Sequence, residues 1–231
     1  MSTMSMNNRS QAKQQFSLPG ISFNILFWTF IVGSVAGFVF EGTWSIIKTG
    51  HWEHHAATLW GPFCIIYGAG AVLVYSISYI LRKRNTVVQF ATYMIAGSLV
   101  EFFFSLLQEK WFGSVSWNYS SHFLNIGGRV SLKMTLIWGV IGIIFAKFVF
   151  PYLGRLIMKF KGKGANAVTC ILVAFMIVNL AATSLAVTRW RMRLNGAEPK
   201  NQIEQILDST YNDTKMERLF TNMNFLEKVS D

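Results

Sequence analysis

The chain has 231 residues, of which 52% are hydrophobic and only 14% charged, against roughly 25% charged in an ordinary soluble domain. The charges gather in short clusters between apolar runs and in the two tails, which excludes a soluble globular domain and points to a bilayer. A formal net charge of +10 would suit nucleic acid, but Lys and Arg sit beside apolar runs, where cytoplasmic membrane flanks want them, so no nucleic-acid partner is expected.

In chain order, residues 1–20 form a polar tail carrying Arg9 and Lys13. The apolar run that follows is too long and starts too late for a signal peptide, and it reads as a retained first span. Five segments are long enough to cross about 30 Å of hydrocarbon as helices. They cover residues 21–47, 58–81, 86–107, 130–157 and 166–188. The expected fold is therefore an all-α, polytopic transmembrane bundle of about five spans, with one membrane domain over residues 21–190. Cys64 and Cys170 fall inside spans and form no Cys-x-x-Cys, so no disulfide is expected.

The second and third spans are joined only by Arg82-Lys83-Arg84-Asn85, a tight antiparallel hairpin. The fourth contains Pro151, which marks a kink or the true end of that span. Gly33, Ala36 and Gly37 in the first span and Gly68–Ala71 in the second offer small faces, read as ordinary helix packing. Residues 191–231 form an amphipathic tail, with Ile203, Ile206, Leu207, Tyr211, Met216, Leu219 and Phe220 at roughly helical spacing.

Sidedness follows the positive charges. Arg9, Lys13, Arg82, Lys83, Arg84, Arg155, Lys159, Lys161 and Lys163 share one side, expected to be cytoplasmic; the loops after the first and third spans take the other. The run Arg189-Trp190-Arg191-Met192-Arg193 falls on the outer side and breaks the rule.

Glu41 and Glu101 stand inside apolar runs, where a carboxylate is expensive and rarely lacks a partner or a task. Counting back from the expected span ends at about 1.5 Å per residue puts both about 9 Å below the outer face. Tyr67 and Asn179 fall about 13 Å down on the same scale. Arg129 opens the fourth span, with Lys133 one turn deeper. Every span thus contributes to one polar layer, which reads either as a structural network pairing the glutamates with Arg129 and Lys133 or as an outward-facing ligand site. The ligand site is the preferred reading.

The loop before the fourth span adds Trp117, Tyr119, His122 and Asn125. The first loop reads His51-Trp52-Glu53-His54-His55, but neighbouring imidazoles rarely offer good ligand geometry, so a hydrated polar loop is expected and no metal. No P-loop, nucleophile elbow or His-Glu-x-x-His occurs, and no cofactor is expected.

The ordered set Gly37-x-x-x-Glu41, Trp60-Gly61-Pro62, Ile66-Tyr67-Gly68-x-Gly70, Glu101, Trp117-Asn118-Tyr119-Ser120, Asn125-x-x-Gly128-Arg129 and Trp138-Gly139 resembles the bacterial multi-pass membrane proteins of the ABC-transporter type IV permease family. The resemblance covers about residues 25–190. It implies a transport role in the cytoplasmic membrane, contact with membrane lipid, a separate ATPase subunit, and a lid role for residues 117–120. The chain departs from the family's pattern where His54-His55-Ala56-Ala57 replaces Asn-Arg-Gly-Phe, and where Asn118 and Asn179 stand in positions that often hold an acid. The expected function is a transporter subunit whose substrate-binding residues are Glu41, Tyr67, Glu101, Trp117, Tyr119, Asn125, Arg129, Lys133 and Asn179. The alternatives are a membrane-embedded enzyme or sensor acting on a lipid or envelope precursor, and an assembly partner of another membrane protein; whether the chain is an enzyme stays open.

Overall fold

A computed structural model describes residues 20–160 and 162–226, and Arg9, Lys13 and Lys161 lie outside them. The chain forms an all-α bundle. Helix α1 (Phe23–Thr49) is followed by α2 (Ile65–Ile80) and α3 (Thr86–Phe112). Next come α4 (Leu132–Ile144) and α5 (Phe150–Lys159), joined by a π-helical turn at Phe145–Val149, and then α6 (Lys163–Leu194). The tail carries α7 (Gln202–Thr210) and α8 (Asp213–Leu219). Two short strands, β1 (Ser114–Val115) and β2 (Asn224–Phe225), pair antiparallel. Among the described residues, four rods are long and apolar enough to cross a bilayer: α1, α3, the continuous α4–α5 segment and α6. Helix α2 is the fifth, with only 16 residues.

The helix starts follow from local capping. Ser22, Asn85 and Ser131 each lend a side-chain oxygen to a backbone N–H in the first turn of α1, α3 and α4. Pro151 ends nothing. It lacks an N–H, and its ring would clash with the carbonyl of residue 147 in a regular helix, so the chain widens into the π turn and continues to Lys159.

Small residues let the rods approach closely. A side chain at Gly33 would strike Ala71, and one at Gly37 would strike Tyr67. Gly97 lies under Trp138, and Gly142 under Tyr93. The small faces therefore pack helix on helix within this chain, as apolar surroundings require.

The second span differs from expectation. Residues 58–64 are not helical; they form a loop that turns back into the bundle. Thr58, Leu59, Phe63 and Cys64 are buried. The Cys64 N–H reaches the Ser34 carbonyl near the middle of α1, 3.1 Å away. Asn179 accepts from the Trp60 N–H at 3.2 Å and donates to the Trp60 carbonyl at 2.7 Å. The Thr183 hydroxyl accepts from the Leu59 N–H at 3.0 Å. Irregular backbone inside a bundle survives only when its polar groups are satisfied this way. Gly61 makes the tight turn at φ 79°, where a side chain would also run into Phe63.

The tail is a docked cap. Leu59, Ala186, Val187, Trp190, Met216 and Phe220 form one buried cluster, with Leu207 and Tyr211 packed against it. Helix α6 runs unbroken through residue 190 to Leu194, so the expected boundary at 190 falls inside a helix. Arg189, only 2% exposed, binds both oxygens of Asp208 at 2.9 and 2.7 Å, with Glu204 3.6 Å away. Arg193 binds Asp208 and Asp213, each at 2.6 Å. The hydrogen bonds from Arg189 and then Arg193 hold the Asp208 carboxyl below its ordinary value of 3.8. Two of the three arginines that broke the positive-charge rule are thus neutralised within the chain.

Two unlike ends result. One end holds the turn at residues 81–85, the end of α5 and the start of α6 (the turn end). The other holds the loops at 50–64 and 113–131 and the tail (the loop end).

Candidate functional site

The site lies in the loop-end half of the bundle and is built from two carboxylate–phenol pairs. Glu41 is on α1, and Tyr67 is in the first turn of α2. The close α1–α2 approach at Gly37 brings the Tyr67 O–H onto Glu41 Oε1. Glu101, on α3, is buried at 4% exposure. Its Oε1 accepts from the Tyr119 O–H at 3.0 Å, and its Oε2 accepts from Trp138 Nε1 at 3.2 Å. Each Glu101 oxygen therefore has one neutral donor.

Tyr119 reaches Glu101 because its loop is locked. The Tyr119 N–H donates to the Gly128 carbonyl at 2.7 Å. Asn118 Oδ1 accepts from the Ser120 N–H at 2.9 Å. Asn125 Nδ2 donates to the carbonyls of Ser120 and His122, each at 3.0 Å, and its Oδ1 accepts from the Gly128 N–H at 3.1 Å. Gly128 has φ 68°, and a side chain there would press on Asn118 and Ser120. The segments 117–120 and 125–129, separate in sequence, form one clasp that lowers the phenol onto α3. His122 stacks on the Tyr119 ring at 5.1 Å. Burial, then the charge of Glu101 and the hydrogen bond to it, and last the charge of Glu41, raise the Tyr119 pKa well above the ordinary phenol range. Tyr119 therefore stays protonated as a donor, and it lies in the field of both carboxylates.

Several expected placements are corrected. Arg129 pairs with neither Glu41 nor Glu101. Its guanidinium binds Glu109 and contacts Ser105 Oγ at 3.3 Å, and it lies over the Phe102 ring. The reason is helix length: α3 runs to Phe112, five residues beyond the expected end at 107, so Glu109 rather than Glu101 is within reach of the loop. By the same lengthening, Glu101 lies about 17 Å and Glu41 about 12 Å below the ends of their helices, deeper than the 9 Å expected. Lys133 is exposed on α4 and has no ion pair among the described residues. Asn179 is wholly buried but serves the Trp60 backbone. Trp117 donates from Nε1 to the Arg129 carbonyl at 3.0 Å, a clasp contact. Asn125 likewise shapes the clasp. The structure brings Glu41, Tyr67, Glu101 and Tyr119 together and sets Trp117, Asn125 and Arg129 around them; Lys133 and Asn179 stand apart.

The first loop is packed on the tail. His54 Nδ1 lies 3.0 Å from the Leu219 carbonyl, and His55 Nδ1 is 2.6 Å from Asn222 Nδ2. Glu53 sits between His51 and His55 at 3.7 and 3.5 Å.

Sequence reasoning missed Trp138 as a site residue. The available signal was an indole deep in an apolar span, away from any interface belt, whose N–H needs a partner when buried.

Long apolar rods around a buried polar cluster define a membrane protein suited to be a transporter component. The family model described as "Putative ABC-transporter type IV" matches residues 28–184, and the chain belongs to that family. Comparisons with curated proteins and with solved structures found no match.

Proposed function

We propose that the chain is a multi-pass permease subunit of the cytoplasmic membrane that binds its ligand at Glu41 and Glu101 from the loop end. The observation that carries this reading is the absence of a cation at either glutamate among the described residues. Glu101 is held by a phenol and an indole, and Glu41 by a phenol. A structural network would place Arg129 or Lys133 on these carboxylates, because an uncompensated buried charge is costly. Neutral donors orient the oxygens and leave the negative charge available to a ligand that brings positive charge or hydrogen-bond donors. The Tyr119 clasp is the element that closes over Glu101.

The family assignment supports a separate ATPase subunit, which would dock at the turn end, taken as cytoplasmic from its Lys and Arg content. A second reading is a membrane-embedded acid–base enzyme. It is favoured by one asymmetry: Glu101 is buried while Glu41 is partly exposed, a difference of surroundings that separates the roles of paired carboxylates.

Purification of the full chain from native membranes in mild detergent tests these readings. A stoichiometric subunit bearing a P-loop supports the permease. A retained lipid or envelope precursor, without an ATPase, supports the enzyme. One dominant partner lacking a P-loop would leave an assembly role and overturn the transport proposal.

A further inference from the structure

We propose that the turn end carries a binding site for one anionic phospholipid, with an acyl chain in the α3–α4 groove and the phosphate held by Arg84 and Lys147. An open groove of about 350 Å³ runs between the start of α3 and the end of α4, lined by Thr86, Val87, Phe90, Val140, Ile143 and Ile144. Its lining is almost wholly apolar, so its natural occupant in a bilayer is a hydrocarbon chain.

The charges at its mouth select the headgroup. Arg84 lies two residues before Thr86, in the turn that opens α3, and is exposed. Lys147 lies in the π turn, three and four residues after Ile144 and Ile143, one helical turn nearer the turn end. It too is exposed and has no ion pair among the described residues. A lysine at this depth is tolerated when its stem runs along apolar surface and its ammonium meets a headgroup. The start of α3, capped by Asn85, adds the positive end of a helix dipole, which favours phosphate.

Charge complementarity identifies the partner. At the turn end, Arg82, Lys83, Arg84, Lys147, Arg155, Lys159 and Lys163 have no acidic partner among the described residues. Every described Asp and Glu lies in the loop-end half, and every ion pair is there. Helix α5 adds Arg155 and Lys159 on the neighbouring surface, with Tyr152 and Leu156 exposed. A cationic rim beside an apolar groove fits a diacyl lipid bearing net negative charge, the species that attracts basic segments to a cytoplasmic leaflet.

The test uses the purified, delipidated full chain in neutral detergent, titrated with phosphatidylglycerol or phosphatidylcholine of identical chains and read by native mass spectrometry. Phosphatidylglycerol should bind as one retained adduct in clear preference to phosphatidylcholine. Arg84→Gln and Lys147→Gln should each weaken it about fivefold, the effect of one cation near a charged surface, and leave phosphatidylcholine unchanged. Val87→Trp with Val140→Trp should displace the adduct by filling the groove, while soluble glycerol phosphate should not compete. Arg84 is on an exposed turn, so its variant reports even where Lys147→Gln does not fold. Equal binding of the two lipids overturns the proposal, as does an adduct untouched by the tryptophans or displaced by glycerol phosphate. None of these results depends on what binds at Glu101.

Discussion

The two ends of this bundle are assembled on different principles. The turn end holds the short connection 82–85, the end of α5 and the start of α6, and its cations are exposed with no acidic partner among the described residues. The loop end is made of long irregular segments that satisfy one another: the 58–64 loop hangs from Asn179 and Thr183, the 113–131 loop clasps onto Glu101, and the tail clamps Arg189 and Arg193. Charge at the turn end is left for the surroundings. At the loop end the buried Arg189 and the half-buried Arg129 and Arg193 are paired with acids inside the chain; Glu41 and Glu101 depart from this and meet only neutral donors. That exception is the ground on which a site, and not a scaffold, is proposed.

The largest expected effect is at the tail clamp. Arg189→Ala removes two charge-assisted hydrogen bonds from Asp208, which keeps Arg193, at about 1.5–3 kcal/mol each. The tail should come free: limited trypsin should cut rapidly at Lys200, Lys215 and Arg218 in the variant and slowly in the unsubstituted protein. Equal cleavage would show that the apolar cluster around Met216 alone holds the cap.

Acid should loosen the same clamp with a defined sign. The folded Asp208 pKa is below the ordinary 3.8. Its contribution is therefore complete above that value and is lost as pH falls through the depressed folded value. Proteolytic release of the tail by an acid-active protease should begin only below the ordinary aspartate range; release between about pH 5 and 7, roughly a unit or more above it, would place the switch on another group.

Asn179→Leu should weaken the loop end next. It orphans the Trp60 N–H, at about 1–3 kcal/mol for an unsatisfied buried group, while the Trp60 carbonyl keeps the Thr58 hydroxyl 3.2 Å away. The melting temperature in detergent should fall, and a single cysteine at Trp60 should become more reactive, while one at Thr86 keeps its rate. A change at Thr86 as well would mean that the two ends do not fold as separable units.

The smallest effect is expected at the turn end. Lys83→Gln should change stability by no more than about 0.5 kcal/mol, because Lys83 is exposed and has no ion pair among the described residues. Single cysteines at Ser116 and Thr86 should label from opposite sides of intact vesicles; labelling of both from one side would defeat the opposed ends.

The sequence made the turn end readable and the loop end much less so. Long apolar runs announce rods through composition alone, and Arg82–Lys83–Arg84 announces a turn. The carboxylates at residues 41 and 101 were conspicuous for the same reason. Their partners were not. Depth counting placed Arg129 beside Glu101, but the last turns of α3 carried Glu109 into that place. Residues 58–64 are apolar enough to read as helix, yet Gly61-Pro62 and the side chains of a distant helix make them a loop. The tail's clamp needed Arg189 and Asp208 to meet through a fold-back that no local pattern encodes. Trp117-Asn118-Tyr119-Ser120 read as a lid only through family resemblance; the contact of Tyr119 with Glu101 depends on Gly128, nine residues further on.

The central claim, that Glu101 serves a ligand and not the fold, is tested most directly by Glu101→Gln. The amide fits the same partners: its carbonyl can accept from Trp138, and its NH₂ can donate to Tyr119, whose hydroxyl turns to accept. Shape and hydrogen bonds are kept, and only the charge is lost. Membrane yield and melting temperature should match the unsubstituted protein, while the phenotype conferred by the intact gene disappears. Loss of the protein from the membrane, or full phenotype at normal abundance for both Glu101→Gln and Glu41→Gln, would contradict it.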